Sequence, residues 1–148
     1  MSEEDGMSTT EELEPGMVCS DGVARAEFAR FCDLFDLNID EMDEEDQESF
    51  EKHALKIRRR IMKGRMSVDD DGQLTVVLKA PVRGVESVTF YEPKGSALLA
   101  LDKAKKDRNI DALQHAVVAM TRTSKELLKG MHGADVKTCQ EIVVLFIA

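Results

Sequence analysis

The sequence has no tryptophan, and aromatic residues make up only 5% of its 148 residues. With so few aromatic side chains, the core must consist mainly of aliphatic residues and methionine, of which there are eight. Methionine is flexible and suits either adaptable packing or a groove for a partner. A chain of this length suits one domain with an appendage, and it needs no disulfide or metal to be stable.

Cysteine is scarce, and long apolar runs are absent. There are three cysteines, Cys19, Cys32 and Cys139. Because their number is odd and their spacing does not match a metal site, we expect reduced thiols, as in a cytosol. The first residues, MSEEDG, contain neither the basic nor the apolar region of a signal peptide. The longest apolar run, Ile142–Ala148, is far shorter than the roughly 20 residues that span a bilayer. We therefore expect a soluble, cytoplasmic protein.

Motifs of catalysis and cofactor binding are also missing. The sequence contains no GxxxxGK(S/T) phosphate loop and no GxGxxG dinucleotide motif. His53, His115 and His132 are far apart and match no catalytic triad or metal signature. Ser96 and Ser124 lie in no recognisable nucleophile motif, and both are explained as helix caps. We predict that the protein is not an enzyme and that it binds no cofactor or metal.

One acidic stretch, residues 36–47, partly matches a calcium-binding EF-hand loop, with oxygen-bearing side chains at loop positions 1, 3 and 5. The remaining positions disagree. Position 6 is Glu41 where glycine is needed, position 8 is Asp43 where an apolar residue is usual, and position 12 is Gln47 where a bidentate glutamate is required. The stretch is better explained as an acidic helix N-terminus, which complements the helix dipole.

The net charge of −9 is divided very unevenly. Residues 1–51 contain 18 acidic and 2 basic side chains, a net charge of −16, whereas residues 52–148 contain 11 acidic and 18 basic side chains, a net charge of +7. An acidic arm on a basic body can fold back on it, shield it from nucleic acid or bind a basic partner. It can equally be a solvated segment that promotes solubility.

Apolar periodicity predicts two helices in the first half of the chain. The first extends over about 22–37 with Asp21 as its N-cap, and the second over about 43–63 with Gly64 just after its end. The run IRRRIMKGR, residues 57–65, has two explanations. It either forms a nucleic-acid patch or places basic side chains at the end of the helix that favours positive charge.

The second half predicts a β-hairpin followed by helices. Alternating residues indicate strands at about 73–79 and 85–91, with the reversal at residues 80–84. Ser96 caps a helix that residues 107–109 break, a second helix covers 110–120, Ser124 opens a short turn, and Gly133 starts the last helix. The predicted fold is α+β and predominantly helical, with a small hairpin at about 73–91 packed with two N-terminal and three C-terminal helices.

The predicted organisation has three parts: a disordered acidic arm at 1–20, a helical N-terminal extension at 21–65, and a hairpin-plus-helix domain at 66–148. Apolar helix faces have two interpretations, core packing or contact with a partner. The residues that we consider for partner binding are Phe28, Phe31, Phe35, Leu98, Leu101, Val143 and Phe146. Exposed hairpin edges would also favour a homo-oligomer.

The stretch LKAPVRGVESVTFYEPKGSALLALDKAKK, residues 78–106, resembles the tail assembly chaperones of Mu-like long-tailed bacteriophages. The corner Tyr91–Gly95 corresponds to the pattern Arg-Glu-Pro-Thr-Gly in that family, with Tyr91 in place of arginine and Lys94 in place of threonine. Ala97-Leu98 stands where an aspartate is common. The segments SKELL at 124–128 and GADV at 133–136 also resemble the family, so the resemblance covers residues 74–147.

This resemblance implies a non-catalytic protein of phage or prophage origin that acts in virion morphogenesis. Such chaperones bind the tape measure protein, a long apolar helix that would otherwise aggregate, and recruit tail tube subunits. They act in the cytoplasm of the host bacterium and are absent from the mature virion. The long acidic segment before residue 70 has no counterpart in the family.

Two alternatives belong to other classes. The chain could be a structural tail or virion component, or a tail completion protein, with the same fold. It could also be an acidic regulatory protein that acts on DNA or on a DNA-binding partner through its acidic arm or through Arg58–Arg60. The acidic composition and the absence of aromatics among the basic residues argue against nucleic-acid binding.

Overall fold

The computed structural model describes residue 13 and residues 15–147. The acidic arm predicted over residues 1–20 therefore lies mostly outside the described residues. Its described end is attached to the body of the protein. The backbone N–H of Val18 donates to the Met62 carbonyl oxygen over 2.6 Å, and Cys19 Sγ lies 3.8 Å from the Ile61 carbonyl oxygen.

Within the described residues, six α-helices accompany a three-stranded antiparallel sheet, and the predominantly helical α+β fold is confirmed. The helices are α1 (Asp21–Leu34), α2 (Glu44–Met62), α3 (Ser96–Asp107), α4 (Ile110–Thr121), α5 (Lys125–Gly130) and α6 (Gly133–Val144), with a 3-10 turn at Ile39–Glu41. The strands are β1 (Met66–Val68), β2 (Leu74–Val82) and β3 (Val85–Phe90). Four helices rather than three follow the sheet, because the predicted turn after Ser124 is the six-residue helix α5.

The helix starts follow local capping chemistry, with two differences from the prediction. Ser20, not Asp21, caps α1, since its hydroxyl accepts from the Val23 N–H over 3.2 Å. Ser96 is the first residue of α3 rather than its cap, and Gly95 occupies the cap position with a φ of 52°. Asp43 caps α2, and its Oδ1 accepts from the Asp46 N–H over 2.8 Å. A serine or aspartate oxygen at this position satisfies a backbone donor that the helix leaves free.

The sheet has the order β1-β2-β3, and the sequence did not reveal β1. A strand of three residues is too short to show an alternating pattern, yet Met66 pairs with Val76 and Val68 pairs with Leu74. The reversal between β2 and β3 is also tighter than predicted, at Arg83-Gly84, because β2 continues to Val82. Both turn residues have positive φ, 50° and 81°, as a two-residue hairpin turn with the right twist requires.

One face of the sheet is buried against the helices, and the other is mostly polar. The inward side chains are Met66, Val68, Leu74, Val76, Leu78, Val88 and Phe90. On the outer face the hydroxyls of Thr75 and Thr89 form a cross-strand hydrogen bond of 2.9 Å. The sheet thus has the usual amphipathic pattern of an antiparallel sheet with one solvated side.

The first two helices share one hydrophobic core with the sheet and the C-terminal helices. Polar contacts anchor α1 to β1, because Arg30 Nη2 donates to the Val68 carbonyl over 2.8 Å and Glu27 Oε1 accepts from the Val68 N–H over 2.9 Å. Gly72 permits this close approach. A Cβ at that position would lie 2.6 Å from the Arg30 carbonyl oxygen, and its φ of 94° favours glycine.

Candidate functional site

The structure assigns most of the residues considered for partner binding to the core. Five of them are buried: Phe28, Phe31, Phe35, Leu101 and Val143. Phe146 is half-buried and packs its ring against Phe31 and Phe35, with centroid distances of 6.2 and 5.5 Å. In this fold these six side chains hold the helices together. For these six residues, burial favours core packing over partner contact.

Leu98 is the one residue of that set that is exposed, and its neighbour Leu99 is exposed further. Their exposed fractions are 51% and 72%. The buried face of α3 consists of Ala97, Leu101 and Ala104, so the two leucines project away from the core. Exposed leucines on adjacent helix positions form an apolar surface that no described part of the chain covers.

A groove lies between the start of α3, the second half of α4 and the start of α5. We call it the α3–α5 groove. Its lining residues are Ser96, Gln114, His115, Val118, Ala119, Arg122, Thr123 and Lys125, and its volume is about 600 Å³. Leu98 and Leu99 are not lining residues themselves, but Leu99 lies one helical turn from the lining residue Ser96.

The Tyr91–Gly95 corner borders the α3–α5 groove. The Tyr91 N–H donates to the Met120 carbonyl over 2.9 Å, which fixes the end of β3 to α4. The guanidinium of Arg122, a groove residue, lies 4.3 Å from the centre of the Tyr91 ring. A cation over an aromatic face is attracted by the ring quadrupole. The corner thus positions both the start of α3 and one side of the groove.

Asp135, from the segment GADV, has a structural role that sequence reasoning missed. Its side chain is buried, with an exposed fraction of 3% for the residue. Oδ1 accepts from the Lys79 N–H over 2.8 Å, and Oδ2 accepts from the Ala80 N–H over 3.2 Å. Because β1 pairs only with the first half of β2, this carboxylate replaces a neighbouring strand and joins α6 to the sheet.

The three histidines have separate structural surroundings. His132 caps α6, with Nδ1 accepting from the Ala134 N–H over 3.1 Å. His115 lines the α3–α5 groove. Burial lowers the pKa of His53, so its ring is neutral at neutral pH. Among the described residues no three His, Cys, Asp or Glu side chains are grouped closely enough to hold a metal ion.

The basic run at residues 57–65 is only partly available at the surface. Arg58 is buried, and its Nη1 lies 3.9 Å from Glu51 Oε2. Arg60 pairs with Glu141, a carboxylate that Lys56 also approaches to 3.9 Å. Two of the four arginines in this run therefore contact carboxylates of the same chain, which weakens the interpretation of the run as a nucleic-acid patch.

The cysteines lead to a testable prediction. Burial raises the pKa of Cys32 and of Cys139 to about 12, and it also raises the pKa of Cys19. The thiolate is the reactive form, so alkylation of Cys32 and Cys139 at about pH 8 should be about a thousandfold slower in the native protein than in urea. Peptide mapping by mass spectrometry after timed iodoacetamide treatment measures both rates. Equal rates in the two states would contradict the burial of these thiols.

Comparison of the chain with models of known protein families, with curated proteins and with solved structures finds no match. No helix in the described part of the chain combines the length and the apolar character that a bilayer crossing requires.

Proposed function

We propose that this protein is a non-catalytic tail assembly chaperone that binds apolar helical segments of a phage tape measure protein in the α3–α5 groove. The observation that carries the proposal is the position of the family-like corner, Tyr91–Gly95, at the edge of that groove. The corner that carries the resemblance thus borders the groove, and the exposed Leu99 lies one helical turn from the groove residue Ser96. Tail tube subunits are the second class of partner that the resemblance implies.

The composition of the groove suits a helix with an apolar face. Val118 and Ala119 are half-buried apolar side chains in the lining, and Leu99 stands beside it. The small side chain of Ala119 allows a partner backbone to approach α4 closely. Polar groups from Gln114, His115 and Thr123 surround this apolar part, as in protein interfaces with an apolar centre and a polar rim.

The modest size of this surface suits a chaperone that must release its partner. Burial of one leucine side chain contributes about 1.5–3 kcal/mol, so a few leucines give a reversible complex. The acidic first third of the chain would keep a complex with an apolar partner soluble through charge repulsion between complexes. Neither role requires a reacting group, which agrees with the proposal that the protein is non-catalytic.

Co-expression with the tape measure protein of the same phage or prophage tests the proposal. We expect more soluble tape measure protein and a complex that is recovered by affinity purification of either partner. Mass spectrometry of purified virions should not detect the chain. If the tape measure protein stays insoluble and no complex is recovered, the proposal fails. Detection of the chain in stoichiometric amounts in virions would instead favour a structural tail component.

A substitution in the surface makes the test specific. Leu99→Glu should lower recovery of the complex by about ten- to a hundredfold, because it removes the burial of one leucine. Leu99 is exposed and near the helix N-terminus, where an acid is favourable, so the midpoint of urea unfolding should not change. Leu55→Glu on α2 is the matched control, since Leu55 is also exposed but lies outside the groove. Equal recovery with both variants would exclude this surface.

A further inference from the structure

A second pocket, distinct from the α3–α5 groove, carries a concentrated positive charge. It lies between the end of α2, the second half of β2 and the start of α6, and its volume is about 460 Å³. Four basic side chains line it, Arg60, Lys63, Arg65 and Lys79, and we call it the basic pocket. It shares no lining residue with the groove.

Little negative charge within the described part of the chain balances these cations. Arg60 is paired with Glu141. Asp135 also lines the pocket, but both of its carboxylate oxygens accept hydrogen bonds from the backbone of β2. Among the described residues no carboxylate lies within ion-pair distance of Lys63, Arg65 or Lys79. The pocket therefore offers three cations to an anionic ligand.

The chain upstream of this pocket is strongly acidic. Pro15 and Gly16 are themselves part of the lining, and the hydrogen bond from Val18 to Met62 fixes the next residues at its edge. Residues 1–14 contain six carboxylates and no basic side chain. The acidic segment is thus joined covalently to the rim of a pocket of opposite charge.

We infer that the basic pocket binds carboxylates of residues 3–14 of the same chain. Lysines and arginines at a solvated surface give only about 0–1 kcal/mol per ion pair, so an untethered peptide of this kind would bind weakly. The covalent connection supplies an effective concentration in the millimolar range, which makes weak pairing sufficient. The exposed Val77 adds an apolar surface to the pocket beside its cations.

The consequence is competition within one molecule. An external anionic ligand, such as an acidic peptide of a partner, reaches the basic pocket only when the N-terminal segment leaves it. The interaction should weaken with salt, because the charges are close to solvent. The basic pocket and the α3–α5 groove are different surfaces. The proposal for one can therefore fail while the proposal for the other holds.

The experiment compares four full-length chains for binding of a fluorescein-labelled hexaglutamate peptide, followed by fluorescence anisotropy at about 20 mM salt, where screening is weak. The first is the native chain. The second has all six acidic side chains of residues 1–14 changed to their amides. The third adds Lys63→Ala, Arg65→Ala and Lys79→Ala. The fourth instead adds Lys103→Ala, Lys105→Ala and Lys106→Ala on α3, a control of equal charge change outside the pocket.

We expect the amide chain to bind the peptide about tenfold more tightly than the native chain, because the tethered competitor is lost. The pocket substitutions should abolish this binding, and the α3 control should retain it. Backbone amide NMR shifts of Val77 and Ala134 should also differ between the native and amide chains. If the triple variant does not fold, the single Lys63→Ala change should still weaken binding by several-fold.

Three outcomes would overturn the inference. Equal binding by the native and amide chains would mean that the segment does not compete. Full binding by the pocket variant would place the peptide elsewhere. Inhibition that grows with protein concentration would identify the occupant as the segment of a second copy, which excludes the intramolecular contact.

Discussion

Replacement of Asp135 by alanine is expected to lower the free energy of unfolding by about 2–5 kcal/mol, because two backbone donors then lose their partner. The carboxylate is buried and accepts from the N–H groups of Lys79 and Ala80 over 2.8 and 3.2 Å. Each unsatisfied donor costs about 1–3 kcal/mol. Because β1 pairs only with residues 74–76 of β2, no carbonyl group of β1 can replace the lost carboxylate as acceptor.

Urea unfolding with a common m-value measures this loss, and Asp135→Asn is the matched comparison. Asparagine retains one acceptor oxygen but turns an amide group toward the second N–H, so its loss should fall between zero and that of alanine. Thermal unfolding should shift by about 2–4 °C for each kcal/mol in a chain of this size. A change within about 0.5 kcal/mol for the alanine variant would show that water or a rearranged strand edge satisfies these donors.

Sequence patterns predicted the helices and strands correctly where the pattern is local and extends over enough residues. The apolar spacing of α1, α2 and α4 predicted helices within a few residues of the observed bounds, and the alternation in β2 and β3 predicted the hairpin. Ser124 caps a helix as predicted, because a cap depends only on the residues beside it. Strand β1 was missed because three residues cannot show a period of two.

The candidate site was harder to predict, because periodicity identifies an apolar face but not what covers it. The phenylalanines of α1 have the spacing of a docking helix, yet α2, the sheet and the C-terminal residues bury them. Leu98 and Leu99 have the same local pattern as Leu101, but α3 packs with Ala97 and Ala104 inward. Only the packing of α3 on α4 decides which of these leucines is buried and which are exposed.

Asp135 illustrates the same limit for polar residues. In the sequence it is an acid in the first turn of a helix, where the dipole alone explains it. Its partners, Lys79 and Ala80, lie 56 and 55 residues earlier. In the sequence, no physical reason was apparent for an aspartate in the segment GADV. The structure gives Asp135 a structural role. The aspartate completes the edge of β2 where the sheet has no further strand.

Phe31→Ala tests whether the α1 phenylalanines belong to the core, and we expect a loss of about 3–5 kcal/mol of unfolding free energy. Phe31 is fully buried, and its ring centroid lies 4.5 Å from that of Phe35, 5.9 Å from that of Phe28 and 6.2 Å from that of Phe146. Alanine would remove contacts to Phe146, which follows α6, as well as to Phe28 and Phe35, and it would leave a cavity among these rings.

Two further variants help to distinguish core packing from partner contact. Phe31→Leu should cost about half as much as the alanine variant or less, because it keeps most of the apolar volume. Leu99→Ala should leave stability within about 0.5 kcal/mol of the native value, because that side chain is 72% exposed. If Phe31→Ala unfolds at the native urea midpoint but loses the tape measure protein, the ring belongs to the interface and α1 must detach from the core to bind. The packing of three rings around Phe31 favours the opposite outcome, in which the alanine variant loses stability because α1 is part of the core.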